Sequence, residues 1–405
     1  MGPFRGFVLM IAQERDAAIV LSGGGAYGAY EVGVLKALIA GQSATTDFHP
    51  LVPERIAGTS IGAINAAVIA SKSSYGLQYA VEYLEQVWTN KFASGSSSCG
   101  NGLYRVRGGA FELSDPNCLT NPISLAGRLA NDGLSFANEF FRYANQGLAS
   151  NGSLTQRALE LLDLSVLFDR SPFDALLPKI ISMEELATSS IDLTVTTTNF
   201  ETGKNEKFSA DEIVNEYGFD VLRASTAIPS VFDGIVIGDD LHVDGSALVN
   251  TPLISAVHGS SELHVVYMDP DIETIPIEAL QNTLGVIDRL LVTTFAYVMN
   301  QDINSIEGFN KTLDLIYENV DVDVKPTSQA DALQKTANQI RKKLQASSDW
   351  SHTTIHKYHP AEDLGGAVGF LNFDIKQIRN LIDRGYRDTI EHDCERNDCV
   401  IARRK

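Results

Sequence analysis

The stretch from Arg55 to Ala67 constrains the fold more than any other part of the chain. It reads as a short strand, a very tight turn and a helix, with Gly58 and Gly62 on either side of Ser60 in the pattern G-x-S-x-G. The glycines let the chain reverse without a Cβ clash, and the turn leaves the serine hydroxyl at the helix N-terminus. The stretch therefore predicts either a serine nucleophile or a serine that only caps a helix.

A second glycine-rich turn precedes this one. Ala17–Leu21 is a continuous apolar run, typical of a strand buried on both faces of a parallel sheet, and it leads through a loop from Gly23 to Gly28 into a helix. Such a loop exposes backbone N–H groups at a helix N-terminus and is suited to holding an anion. The two turns together indicate acyl transfer, with a nucleophile at one turn and an oxyanion hole at the other.

The same loop also fits a dinucleotide-binding pattern. Gly23, Gly25 and Gly28 satisfy G-x-G-x-x-G, and Asp47 or Glu54 falls roughly where a ribose-binding acid is expected. A dinucleotide-dependent oxidoreductase is therefore an alternative. This alternative does not explain the glycine turn around Ser60.

Strands alternate with helices through the first two thirds of the chain, which predicts an α/β fold with a mostly parallel sheet and helices on both faces. An apolar stripe from Ile275 to Asn300 predicts a helix that packs on this domain rather than on a membrane.

The predicted units are a lead segment at 1–16, a catalytic domain at 17–270 with an irregular insertion at 93–150, and a mainly helical C-terminal region at 271–405 packed on that domain. The insertion at 93–150 is interpreted either as a lid or as a simple connection.

Composition excludes some classes of partner. The formal net charge of −19 argues against nucleic acid, which requires clustered Lys and Arg, and gives no attraction to anionic lipid headgroups. No apolar stretch is long enough to span a bilayer, although peripheral membrane contact stays open. The run Phe7 to Ala12 is short for a signal-peptide core, so a cytoplasmic location is favoured over secretion. The sequence does not indicate an oligomeric state.

The four cysteines, Cys99, Cys118, Cys394 and Cys399, are too few and too scattered for a disulfide framework. We interpret them as thiols, with at most one local bridge. No cluster of His, Cys and acidic residues has the chain spacing of a metal site, so we expect neither a metal nor an organic cofactor.

A serine hydroxyl needs a base to take its proton. One solution is a Ser-His-acid triad with His258 or His264 as the base. The other is a Ser-Asp dyad, for which Asp244 is the strongest candidate because it ends a strand and precedes Gly245. An ordinary Asp-Gly turn is the alternative interpretation of that dipeptide.

Three motifs in the order found here resemble those of the patatin-like phospholipases. The resemblance spans roughly Ala17 to Asp269 and includes the stretch Ala224 to Pro229 before the last motif. The motifs are the loop from Gly23 to Gly28, the turn Gly58-Thr59-Ser60-Ile61-Gly62, and Val243-Asp244-Gly245 followed by Asn250-Thr251-Pro252.

The resemblance implies a three-layer patatin-like fold and a lipid acyl hydrolase, phospholipase A-like, that needs no cofactor. It implies that Ser60 is the nucleophile and Asp244 its partner. It also implies that the glycine loop forms the oxyanion hole, chiefly through three of its amides. The loop residues assigned to the hole are Gly23, Gly24, Gly25, Ala26 and Gly28, with the amides of Gly24, Gly25 and Ala26 as donors.

The chain departs from the family pattern at two positions. Tyr27 stands where the family usually has Arg or Lys, and Ser246 where it often has Gly or Ala. Because the expected oxyanion donors are backbone amides, Tyr27 removes a positive charge without removing a donor. A lipid-binding effector with a dormant site is an alternative of a different class, and the lipid headgroup is left open.

Overall fold

A computed structural model describes residues 16–93, 103–106, 168–229, 231–257, 259–268, 283–318, 352–361, 364, 369 and 371–402. The predicted lead segment up to residue 15, most of the predicted insertion, and His258 lie outside these ranges.

Ten strands are present in the described ranges, and eight of them form one sheet. They are β1 (Ala17–Leu21), β2 (Arg55–Thr59), β3 (Arg105–Val106), β4 (Phe168–Asp169), β5 (Asp192–Asn199), β6 (Lys204–Ser209), β7 (Ile235–Ile237), β8 (Asp240–Asp244), β9 (Glu262–Val266) and β10 (Thr354–Tyr358). The sheet order is β10-β9-β1-β2-β5-β8-β7, with β6 also paired to β5. The first five strands in that order are parallel, while β6, β7 and β8 pair antiparallel.

Ten α-helices accompany these strands in the described part of the chain. They are α1 (Gly28–Ile39), α2 (Ile61–Lys72), α3 (Leu77–Val87), α4 (Ser171–Ile180), α5 (Met183–Ala187), α6 (Ala210–Glu212), α7 (Phe219–Ser225), α8 (Leu253–Val257), α9 (Thr283–Glu318) and α10 (Ile375–Ile390).

The side chains of β1 show how the layers are arranged. Ile19 and Leu21 belong to one buried cluster, with residues of α1, α2 and α3, while Ala18 and Val20 belong to a second cluster, with residues of α8 and α9. Alternate residues of a strand point to opposite faces, so helices cover both faces of the sheet. The three-layer α/β fold with a mostly parallel sheet is confirmed.

Helix α9 packs against one face of the sheet. The packing expected of the apolar stripe between Ile275 and Asn300 stays a prediction, because the buried residues of α9 are at other positions than those that define the stripe. Ala296, Met299, Ile303 and Ile306 are buried, at the three- and four-residue spacing of one helix face. No helix within the described ranges combines the length and the apolar character needed to cross a membrane.

The C-terminal part of the chain packs closely against the sheet and the helices of the N-terminal part. Helix α10 has its N-terminus capped by the Asp374 carboxylate. A Cβ atom on Gly33 of α1 would overlap the Ile382 carbonyl oxygen, so only glycine lets α10 cross this close. Strand β10, which the sequence pattern did not indicate, extends the sheet beside β9. The division at residue 270 stays a prediction.

Candidate active site

Ser60 lies at the tight turn between β2 and α2. Its backbone has φ 55° and ψ −127°, a conformation that side-chain-bearing residues rarely adopt, and its side chain makes no capping hydrogen bond to α2. A Cβ atom on Gly62 would lie 2.6 Å from the carbonyl oxygens of Leu21 and Ser22, so α2 can start this close to β1 only with glycine there. The strained turn therefore presents a hydroxyl that does not serve as a helix cap.

The register of β5 explains why Ser60 meets Asp244. Strand β2 pairs with residues 192–196 of β5, and β8 pairs antiparallel with residues 197–199, while β6 occupies the other edge. Thr59, the last residue of β2, is opposite Thr196, and Asp244, the last residue of β8, is opposite Thr197. The two strands thus end next to each other, which brings the residue after Thr59 beside Asp244.

The Ser60 hydroxyl donates a hydrogen bond to Oδ2 of Asp244 at 2.7 Å. Oδ1 of the same carboxylate accepts the backbone N–H of Ser246 at 2.8 Å. Ser60 is 5% exposed and Asp244 is fully buried. Burial raises the pKa of Asp244 to about 6, against the opposing effect of the bonds from Ser60 and Ser246. A carboxylate with this pKa is a stronger base than an ordinary aspartate.

His264, one of the two histidines considered for a triad, lies in a different part of the sheet. Its Nδ1 is 2.9 Å from the Tyr358 hydroxyl, and its Nε2 is 3.4 Å from Oε1 of Glu262. Burial lowers its pKa. Within the described ranges no histidine makes a hydrogen bond to Ser60 or to Asp244. The structure therefore gives Ser60 a carboxylate partner and no imidazole partner among these residues.

The glycine loop lies beside the serine. Gly25 lines the same cavity as Ser60 and has φ 55°, and Gly24 precedes a short 3-10 turn over Gly25–Tyr27. The Gly23 N–H donates to the Asn250 carbonyl oxygen at 3.1 Å, and the Gly28 N–H donates within the turn. Of the four residues between them, Tyr27 donates its N–H to the Gly24 carbonyl oxygen at 3.0 Å. The N–H groups of the other three, Gly24, Gly25 and Ala26, have no acceptor in the part of the chain that the structure describes.

The acids considered for ribose binding lie away from this loop. Asp47 and Glu54 are exposed and precede β2, whereas dinucleotide sites lie at the carboxyl ends of parallel strands. At the carboxyl end of β2 the chain has Ser60. The structure therefore does not support the oxidoreductase alternative.

Tyr27 stands where the family usually has a basic residue, and its side chain points into the protein interior. It is 8% exposed, and its hydroxyl lies so close to Gly369 that a Cβ atom there would overlap it. The side chain thus packs against the C-terminal part of the chain.

Arg170 supplies a positive charge near Asp244 from another element, which the sequence pattern did not indicate. Its Nε donates to Oδ1 of Asp174 at 3.0 Å, its Nη1 donates to the Arg223 carbonyl oxygen at 2.8 Å, and the guanidinium lies 6.0 Å from the ring centres of Phe173 and Phe232. Arg170 is among the groups that lower the pKa of Asp244, although burial outweighs it.

A cavity opens onto Ser60. Most of its lining is apolar or aromatic, which suits a hydrocarbon chain. The lining residues are Gly25, Ser60, Ile61, Leu103, Tyr104, Arg170, Phe173, Thr226, Ile228, Phe232, Leu371 and Phe373.

Ser225 holds the turn in place and was not identified from its own residue pattern. Its hydroxyl accepts the Ser60 N–H at 2.9 Å and donates to the Thr196 carbonyl oxygen at 2.8 Å. Ser225 is fully buried, so both bonds are shielded from water. The only signal in the sequence was that Ala224 to Pro229 resembles a family segment.

Four side chains that could act as metal ligands lie together, although their spacing along the chain does not indicate a metal site. His356, His392, Cys394 and Cys399 place their donor atoms within 4.8 Å of one another, away from the serine site. Spacing along the chain missed the cluster because His356 comes from β10, while the other three follow α10.

The family of the chain follows from comparison with known proteins. A model of the family described as patatin-like phospholipase matches residues 19–257, more than half of the chain. A search of curated proteins finds no significant match. Among solved structures, the crystal structure of VipD from Legionella pneumophila is similar, with 14% identity over 94% of this chain and 67% of that chain and a TM-score of 0.36. On the strength of the family model, the chain belongs to the patatin-like phospholipases.

Proposed function

We propose that this chain is a lipid acyl hydrolase that cleaves carboxylic esters through Ser60 and Asp244. The observation that carries the proposal is the 2.7 Å hydrogen bond from the Ser60 hydroxyl to the Asp244 carboxylate, in a buried site that opens onto an apolar cavity. Membership of the patatin-like phospholipases supports the reaction class.

In the first half of the reaction, Ser60 Oγ attacks the ester carbonyl carbon while its proton passes to Asp244. The carbonyl oxygen becomes an oxyanion, which the free N–H groups of the glycine loop are suited to bind. Collapse of this intermediate breaks the carbon–oxygen bond to the alcohol, which leaves with the proton from Asp244. Ser60 is left carrying the acyl group.

In the second half, water attacks the acyl-enzyme and its proton passes to Asp244. The second tetrahedral intermediate collapses with loss of Ser60 Oγ, which regains the proton as the fatty acid departs. Asp244 thus acts alternately as base and acid, and its pKa of about 6 suits both roles near neutral pH.

The cavity indicates how the substrate would be held. Its apolar lining suits the acyl chain, and Arg170 provides a cation at the wall for a negatively charged headgroup. Because the oxyanion donors are backbone amides, the buried Tyr27 removes none of them.

The test is hydrolysis of a medium-chain p-nitrophenyl ester by the wild type, Ser60→Ala, Asp244→Asn and His264→Asn. Ser73→Ala, which changes a half-buried serine at the far end of α2, is the matched control. We expect the Ser60 and Asp244 variants to lose at least about 10³-fold in kcat with circular dichroism unchanged, and the control to keep its activity. Full activity in Ser60→Ala would refute the proposal. So would a folded wild type that binds lipid vesicles but hydrolyses no lipid or synthetic ester, which would favour the dormant lipid-binding effector.

A further inference from the structure

The cluster of His356, His392, Cys394 and Cys399 has the composition of a metal site. Nδ1 of His356 lies 3.3 Å from Sγ of Cys394, and Nε2 of His392 lies 3.3 Å from Sγ of Cys399 and 3.6 Å from Sγ of Cys394. Both histidines are buried, both cysteines are half-buried, and the cysteines are not joined by a disulfide.

These separations match a tetrahedral zinc site. With Zn–S near 2.3 Å and Zn–N near 2.05 Å, two ligand atoms of a tetrahedron lie about 3.6 Å apart. The three measured nitrogen–sulfur separations, 3.3 to 3.6 Å, are close to that edge length. Two thiolates and two imidazoles form a ligand set that is typical of structural zinc and leaves no coordination position open.

A buried carboxylate orients one of the ligands. Nε2 of His356 lies 3.1 Å from Oε1 of Glu262, which is 3% exposed. When Nε2 donates to this carboxylate, Nδ1 carries no proton and its lone pair points toward Cys394. Histidine ligands of metals ordinarily donate their second nitrogen to a carboxylate in this way. Thus the surroundings of the cluster, as well as its members, fit a bound metal.

We propose that His356, His392, Cys394 and Cys399 bind one Zn²⁺ ion in a closed tetrahedral site. Binding forms four bonds to the metal and releases a proton from each thiol, while both imidazoles coordinate in the neutral form.

The site has a structural role, because it joins two separate parts of the chain. His356 lies in β10, and the other three ligands lie in the segment that follows α10. That segment also pairs with β10 through Ile355 and Val400. Helix α10 in turn packs on α1, where the Tyr30 hydroxyl donates to Asp388 at 3.0 Å. The metal therefore fastens the C-terminal segment to the sheet and supports the helix that packs behind the glycine loop.

The test begins with wild-type protein that has been reduced, stripped with a chelator and checked by intact mass for free thiols. Titration with Co²⁺ is expected to give the visible and near-ultraviolet absorption of tetrahedral thiolate cobalt, saturating at one ion per chain, and Zn²⁺ is expected to displace it. Metal analysis after loading with Zn²⁺ and gel filtration should find about one zinc per chain. Zinc loading should also raise Tm by several degrees, since the metal binds the folded state.

Variants then identify the ligands. Cys399→Ser and His392→Asn should each abolish the cobalt spectrum, while the exposed-histidine control His49→Asn and the cysteine control Cys99→Ser should keep it. Absence of a cobalt spectrum in reduced wild type would overturn the proposal without reference to any variant. Equal zinc content in wild type and Cys399→Ser would also overturn it.

Discussion

Lowering the pH through 6 should switch off the proposed ester hydrolysis by protonating Asp244. This carboxyl group is fully buried, and burial raises its pKa from an ordinary value of about 3.9 to about 6. Only the ionised form can accept the Ser60 proton, so activity should follow the ionised fraction. That fraction is about nine tenths at pH 7, one half at pH 6 and one tenth at pH 5.

The assay is kcat/KM for a p-nitrophenyl ester between pH 4.5 and 8, with each reaction quenched at alkaline pH before the product is read. The parameter kcat/KM reports ionisation of the free enzyme. Circular dichroism at each pH ensures that the loss of activity is not unfolding. We expect a single acidic limb with a midpoint near 6 and a tenfold fall per pH unit below it.

A histidine base would give a limb at a similar pH, so the profile is repeated at two temperatures. A carboxyl group ionises with almost no enthalpy, and its midpoint stays in place, whereas the midpoint of an imidazole moves down on warming. A midpoint near 4 would show that burial does not raise the pKa of Asp244. A midpoint that moves with temperature would show that the base is not a carboxylate.

Further predictions follow from the contacts of the site. Ser225→Ala removes the acceptor for the Ser60 N–H and should lower kcat about tenfold, the cost of about one hydrogen bond, with KM unchanged in steady-state kinetics. Arg170→Met should lower the kcat/KM ratio of an anionic phospholipid to a diacylglycerol at least about tenfold, and an unchanged ratio would mean that Arg170 only supports the wall. Asp244→Asn should raise the free energy of unfolding by up to ~3 kcal/mol at pH 8. The reason is that the pKa of the buried carboxyl is about two units higher in the folded than in the unfolded state, so keeping it ionised above pH 6 destabilises the folded wild type. In urea titrations this advantage should shrink as the pH falls below 6 and vanish well below the ordinary pKa of about 3.9, where the wild-type carboxyl is protonated in both states. An advantage independent of pH would contradict the reasoning.

Local sequence patterns predicted the parts of the fold that depend on neighbouring residues. The glycines around Ser60 identified the tight turn, since only glycine lets α2 start against β1. The apolar run of β1 predicted burial correctly. Each of these signals lies within one short stretch of the sequence.

The parts that could not be predicted depend on residues far apart in the chain. Strand β10 has the alternating sequence Thr-Ile-His-Lys-Tyr, and what makes it a strand is its pairing with β9, some 90 residues earlier. Arg170 and Ser225 come to the site from elements whose own patterns carry no catalytic signal. The four-residue ligand cluster was missed for the same reason, because the sheet brings His356 to the segment after α10.

The most direct test of the account is the rate at which a fluorophosphonate labels Ser60. The reagent reacts with a serine only when a base takes the hydroxyl proton, and it leaves a covalent adduct that peptide mapping by mass spectrometry can locate. We expect one adduct per chain on Ser60, none in Ser60→Ala, and labelling at least about 10²-fold slower in Asp244→Asn. An adduct on another serine, or equal labelling rates in wild type and Asp244→Asn, would contradict the assignment of Ser60 and Asp244 as the catalytic dyad.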